Sequence, residues 1–79
     1  MPPLLSTLRE TTVNIYTRAD AVIKELGGKV KGGINWTWVM FSTEENAEAF
    51  NTWVARNGLE TRGVYPPQNP GEMFGVRYR

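Results

Sequence analysis

The chain has 79 residues, nine Lys and Arg against eight Asp and Glu, a formal net charge of +1, and neither cysteine nor histidine. That length holds one domain, with an expected stability of roughly 4 to 12 kcal/mol and either a monomer or a homodimer as its state. Without cysteine there is no disulfide framework and no thiolate metal site. Near-balanced charge excludes a general attraction to nucleic acid or anionic lipid and leaves room only for a local patch.

The first residues offer no basic region and no long apolar run, only Leu4-Leu5 after Pro2-Pro3. Neither a secretion signal nor a membrane span is expected, and the cytoplasm is the expected compartment. Leu4, Leu5 and Leu8 fall at helical spacing, so this stretch is either a short helix or an arm laid over an apolar surface. Thr11 to Tyr16, TTVNIY, is dense in strand formers. Thr17 with Asp20 then gives a capping signal before Ala19, Val22, Ile23 and Leu26, which reads as strand followed by helix. Leu5, Leu8, Thr12, Ile15, Ala19, Val22 and Leu26 also fit one long helix over Leu4 to Leu26. The strand reading is preferred and the long helix is its rival.

Gly27-Gly28 stops this helix, Lys29-Val30-Lys31 makes a short strand, and Gly32-Gly33 turns a tight hairpin. Ile34 to Phe41, INWTWVMF, has the composition of a central strand. Alternation puts Ile34, Trp36, Trp38 and Met40 on one face and Asn35, Thr37, Val39 and Phe41 on the other. Ser42 with Glu45 spells a capping box that opens a second helix. Its apolar stripe is Ala47, Phe50, Trp53 and Val54, and Glu44, Glu45 and Glu48 suit the positive end of its dipole. Asn57-Gly58 ends that helix, with Leu59 placed for the accompanying apolar contact. Thr61 to Tyr65 is a strand, Pro66 to Gly71 a turn, and Met73 to Tyr78 a last strand. In this last strand Phe74, Val76 and Tyr78 face one way and Gly75, Arg77 and Arg79 the other.

The fold class that follows is α+β: a ferredoxin-like βαββαβ antiparallel sheet with two helices on one face, extended by an extra C-terminal strand. Residues 34 to 58 resemble the third strand and second helix of the RNA-recognition motif. Trp36, Trp38, Val39 and Phe41 fall on matching places of that family's octamer, and STEENAEAF looks like its helix entry. Ile34 and Asn35 stand where the family has a basic residue and glycine. The resemblance implies a sheet face that stacks bases, with Tyr16 as the first-strand aromatic.

Burial of the Trp36 and Trp38 face, by the helices or by the Leu4, Leu5, Leu8 arm, is the expected fate of so apolar a surface; an exposed face is the alternative. No nucleophile, acid–base pair or metal cluster stands out, so neither an enzyme nor a cofactor is expected. GGKVKGG lacks the spacing of a phosphate loop. The expected function is a small non-enzymatic protein-binding module acting as an inhibitor of a partner's machinery. In size and general character it resembles small phage-encoded inhibitors, anti-CRISPR proteins among them. Its partner is a protein, with nucleic-acid-handling complexes among the candidates, and its contact residues are Trp36, Trp38, Tyr65, Arg77, Tyr78 and Arg79. The alternative is single-stranded nucleic-acid binding through Tyr16, Lys29, Lys31, Trp36, Trp38, Arg77 and Arg79.

Overall fold

A computed structural model describes residues 15–69 and 71–79. Two helices, α1 (Ile15–Glu25) and α2 (Glu44–Arg56), pack with four strands, β1 (Lys29–Gly32), β2 (Thr37–Phe41), β3 (Thr61–Tyr65) and β4 (Phe74–Tyr78). The strands form one antiparallel sheet in the order β1-β2-β4-β3. The architecture is α+β and compatible with a ferredoxin-like type of fold carrying an extra strand. β2, α2 and β3 make a split βαβ unit, and the C-terminal strand β4 lies in the gap between β2 and β3. It therefore occupies the interior of the sheet and not its edge.

The Thr11 to Tyr16 strand is corrected at its end, because Ile15 and Tyr16 are helical. Residues 11–14 and the Leu4, Leu5, Leu8 arm lie outside the described residues. Helical spacing wins at Ile15 and Tyr16 because Ala19 and Ile23, four residues apart, reach the core together. Thr17 and Asp20 sit inside α1 and do not cap its start. Both helices end as their glycines require. Gly27 (φ 73°) lets Gly28 N–H donate to the Ile23 carbonyl at 2.7 Å, and Gly58 (φ 80°) lets Leu59 N–H donate to the Val54 carbonyl at 3.1 Å. Gly28 has a second duty, since a Cβ there would lie 2.6 Å from the Phe41 ring.

The start of α2 is one residue later than the capping box predicts. Thr43, in extended backbone, is the cap and accepts from Asn46 N–H at 3.1 Å. Asn46 in turn donates its side-chain amide to the Leu26 carbonyl at 3.2 Å, tying the start of α2 to the end of α1. The second strand is also shorter than its composition suggests. Ile34, Asn35 and Trp36 belong to the β1–β2 connection, with Ile34 99% exposed. Gly33 keeps this connection closed, because a Cβ there would collide with the Trp36 carbonyl oxygen.

Both helices cover the same face of the sheet. Ala19 and Ile23 of α1 and Ala47, Phe50 and Val54 of α2 bury against Val39, Phe41, Val76 and Tyr78. Phe50 is the centre, with ring centroids 5.4 Å from Phe41, 5.2 Å from Tyr78 edge-on, and 6.3 Å from Trp53. Register explains the choice of face. Val39 pairs with Val76, and Thr37 with Tyr78. The opposite set, Trp38 and Met40, pairs with Arg77 and Gly75. Turning that set inward would bury a guanidinium, a penalty that no ring contact offsets in full. The expected burial of the tryptophan face beneath the helices is therefore corrected: the helices take the other face.

Candidate binding face

The sheet face turned away from the helices carries Trp38 and Met40 from β2, Gly75 and Arg77 from β4 and Tyr65 from β3. Just past the strand ends it continues into Trp36 and Arg79. β3 contributes one more side chain through a bulge. Arg62 and Gly63 together oppose the single residue Arg77, between the pairs Thr61–Tyr78 and Val64–Val76. Gly63 (φ 86°) supplies the left-handed turn, and its N–H donates to the Thr61 hydroxyl at 3.0 Å. The Thr61 hydroxyl itself donates to the Asn51 side-chain carbonyl, which anchors the bulge to α2. The bulge re-aims Arg62 onto the face turned away from the helices.

Cations and rings interleave there in two layers. In the first, the Arg79 guanidinium lies 4.2 Å and the Arg62 guanidinium 4.8 Å from the Trp36 ring. In the second, Arg77 lies 4.0 Å from the Trp38 ring and 5.2 Å from that of Tyr65, whose own centroids are 5.3 Å apart. Each such contact contributes about 0.5 to 1 kcal/mol at an exposed site and more where water is excluded. Arg77 Nε is buried with no hydrogen-bond partner among the described residues, so the rings and not hydrogen bonds hold this guanidinium.

Trp38 comes close against β4 because Gly75 permits it. A Cβ on Gly75 would sit 2.8 Å from one carbon of the indole and 3.2 Å from the next. Backbone thus lies against the six-membered part of the indole and a guanidinium over its face, so the aromatic surface is fixed in place. Among the described residues the single ion pair is Arg79 with Glu60, at 3.3 Å and largely in water, where it contributes little. Among those residues Arg62 and Arg77 have no carboxylate within ion-pair distance.

Beside the second layer is a shallow groove of about 160 Å³. Trp38, Met40, Tyr65, Pro66, Pro67 and Met73 make its apolar lining and Gln68 and Glu72 its polar side, with Glu72 accepting from the Asn69 side-chain amide. A drug-sized ligand needs at least about 300 Å³. The groove has the size of a single side chain, and its two methionines can adapt to different shapes.

Of the residues singled out from sequence, Trp36, Trp38, Tyr65, Arg77 and Arg79 come together on this face. Tyr78 does not. It is 3% exposed and part of the core, because alternation along β4 sends it inward with Val76. Burial is the main cause that raises its hydroxyl above the usual tyrosine value of 10.0, with Asp20 and Tyr16 adding to it. Tyr16 cannot be a first-strand stacking aromatic, since it is on α1 and half exposed on the helical side. Lys29 pairs with Met40 and so belongs to the edge of the face turned away from the helices, whereas Lys31 falls in the β1 irregularity. Arg62, Met40, Pro66, Pro67 and Met73 were not singled out from the sequence. Only the β3 bulge brings Arg62 over Trp36, and nothing in TRGVY announces a bulge except its glycine. No protein-family model, no curated protein and no solved structure matches the chain.

Proposed function

We propose that the domain is a non-enzymatic protein-binding module whose contact surface is the sheet face turned away from the helices. One observation carries this reading: two layers of guanidinium and aromatic side chains, Arg62–Trp36–Arg79 and Trp38–Arg77–Tyr65, held in fixed geometry on a face that neither helix covers. Tryptophan, tyrosine and arginine are the residues that dominate binding energy at protein interfaces. The groove beside them supplies the pocket that an anchor residue needs. Such a module acts by occupying its partner's surface, which is how a small inhibitor of the phage-encoded type would work.

The test is capture of partners from a lysate of the source cells by the tagged chain, after nuclease treatment. Trp38→Ala and Arg62→Ala test the face, and Glu48→Ala on α2 serves as the control. The reading expects one set of proteins retained by the parent chain and the Glu48 variant and lost with the other two. Retention of the same proteins by all four chains would refute the face as the contact surface.

A second reading has its own support. Lys29, Arg62, Arg77 and Arg79 collect on the sheet side against Glu60 and Glu72, while the helices carry Asp20, Glu25, Glu44, Glu45 and Glu48 against Arg18, Lys24 and Arg56. A local basic patch beside aromatic rings suits single-stranded nucleic acid, whose affinity would fall with salt. It ranks second because the tryptophan rings already carry guanidinium groups, and a stacking base would have to displace them. Quenching of tryptophan fluorescence by an oligothymidylate at low salt would raise it to first place.

A further inference from the structure

We infer that the partner presents an extended acidic segment, in which one apolar side chain enters the groove and carboxylates two and four residues away meet Arg77 and then Arg79 with Arg62. This rests on the protein-binding reading and names the chemistry of its target. Three features of the face require it together.

The first is unmatched charge. Arg62 and Arg77 have no carboxylate partner among the described residues, and the one partner of Arg79, Glu60, is well exposed to solvent. An incoming carboxylate gains the charge-assisted bonds that these guanidinium groups do not make within the domain. Cations held against rings have already lost part of their side-chain freedom, so less is lost when an anion arrives.

The second is the neighbouring apolar slot. Met40, Met73, Pro66 and Pro67, with Gln68 and Glu72 as the polar side, line a volume of about 160 Å³, enough for one side chain and no more. Glu72 precedes β4 and Arg77 lies near the other end of that strand, so Glu72 disfavours a carboxylate on its own side and gives the site a direction. Anions belong at the Arg77 end and the apolar anchor toward Glu72.

The third is spacing. Along β4 the groove residue Gly75 is followed on the same face by Arg77 and, past the strand end, by Arg79. Alternate residues of a strand are about 6.7 Å apart, in the domain and in an extended ligand alike. A segment lying along β4 therefore reads apolar, any, acidic, any, acidic in one chain direction or the reverse. Polynucleotide phosphates match the charges but leave the apolar slot empty.

The experiment is selection of a random peptide library of about twelve residues, displayed on phage, against the immobilised full chain, with elution by rising sodium chloride. The expected result is a consensus with an apolar residue two and four positions from Asp or Glu, eluting early in the salt gradient. A synthetic peptide of that consensus should bind Arg62→Ala and Arg77→Ala about tenfold more weakly. Arg62 is exposed on the bulge and outside the core, so its variant reports on binding even if Arg77→Ala unfolds. Selected peptides without acids, yet still lost with Trp38→Ala, would overturn the acidic chemistry while the face remained the contact surface. Peptides indifferent to every face variant would overturn both. No enrichment overturns the acidic segment, and quenching by oligothymidylate in that case transfers the face to nucleic acid.

Discussion

Replacement of Gly75 by alanine tests the packing of the face through the sign of its effect. Gly75 is in the interior of the sheet with ordinary strand backbone, where alanine is normally better than glycine by about 0.5 to 1 kcal/mol. Here the added methyl would meet two indole carbons at 2.8 and 3.2 Å and the Met40 sulfur at 3.4 Å. Trp38 has Tyr65 on one side, with centroids 5.3 Å apart, so its escape is to lift away from the sheet. Overpacking of this kind costs about 1 to 3 kcal/mol, and loss of the 4.0 Å contact with Arg77 removes a further 0.5 to 1 kcal/mol, roughly. The net expectation is destabilisation by about 1 to 3 kcal/mol, a fall in the urea midpoint of about 1 M or more. Circular dichroism is the readout, since tryptophan emission would change for local reasons. In a Trp38→Ala background the same substitution should be neutral or stabilising, because the clash is gone. Stabilisation by Gly75→Ala in the parent chain would refute Trp38 packed against Gly75 and with it the preformed face.

Phe50→Ala removes the ring that touches Phe41, Tyr78 and Trp53. It should cost about 3 to 5 kcal/mol, a large share of the stability of so small a domain, and thermal unfolding will show it. Thr43→Ala should cost about 1 kcal/mol in urea unfolding and Ser42→Ala almost nothing, since Thr43 alone caps α2. Tyr78 holds its proton longer in the folded chain than in the unfolded one, where its value is near 10.0. Its contribution to stability is thus complete below pH 10 and is lost as the pH rises through the higher folded value. Urea midpoints measured upward from pH 9 or so should fall, and Tyr78→Phe should flatten that fall.

Much of the fold is legible in the residues. The stops at Gly27 and Gly58, the stripe Ala47, Phe50, Val54 and the alternation of β4 all reappear in place. Composition could not separate Ser42 from Thr43 as the cap, because each hydroxyl stands three residues before a polar side chain. It misjudged the inward face of β2 because both faces are apolar, and tryptophan outweighs valine in any count of apolar mass. The deciding signal lay in β4. Arg77 and Arg79 oppose Val76 and Tyr78 without ambiguity, and whichever face of β2 pairs with arginine must turn outward. That inference needed β4 beside β2, an adjacency that the order of elements along the chain conceals. The groove was illegible for a related reason, since Met40 and Met73 meet only through the β2–β4 register. At the N-terminal side, Ile15 and Tyr16 favour strand by propensity, yet the four-residue repeat that continues into Ala19 and Ile23 places them in α1.

The three indole N–H signals in a nitrogen–proton NMR spectrum offer the most direct measurement. Trp36 and Trp38 are on the face turned away from the helices, and Trp53 is on α2 against Phe50, so each chain carries its own control. On addition of a captured partner or a selected peptide, the Trp36 and Trp38 signals should shift or broaden while that of Trp53 stays where it is. A shift confined to Trp53 would place binding on the helical side and contradict the account.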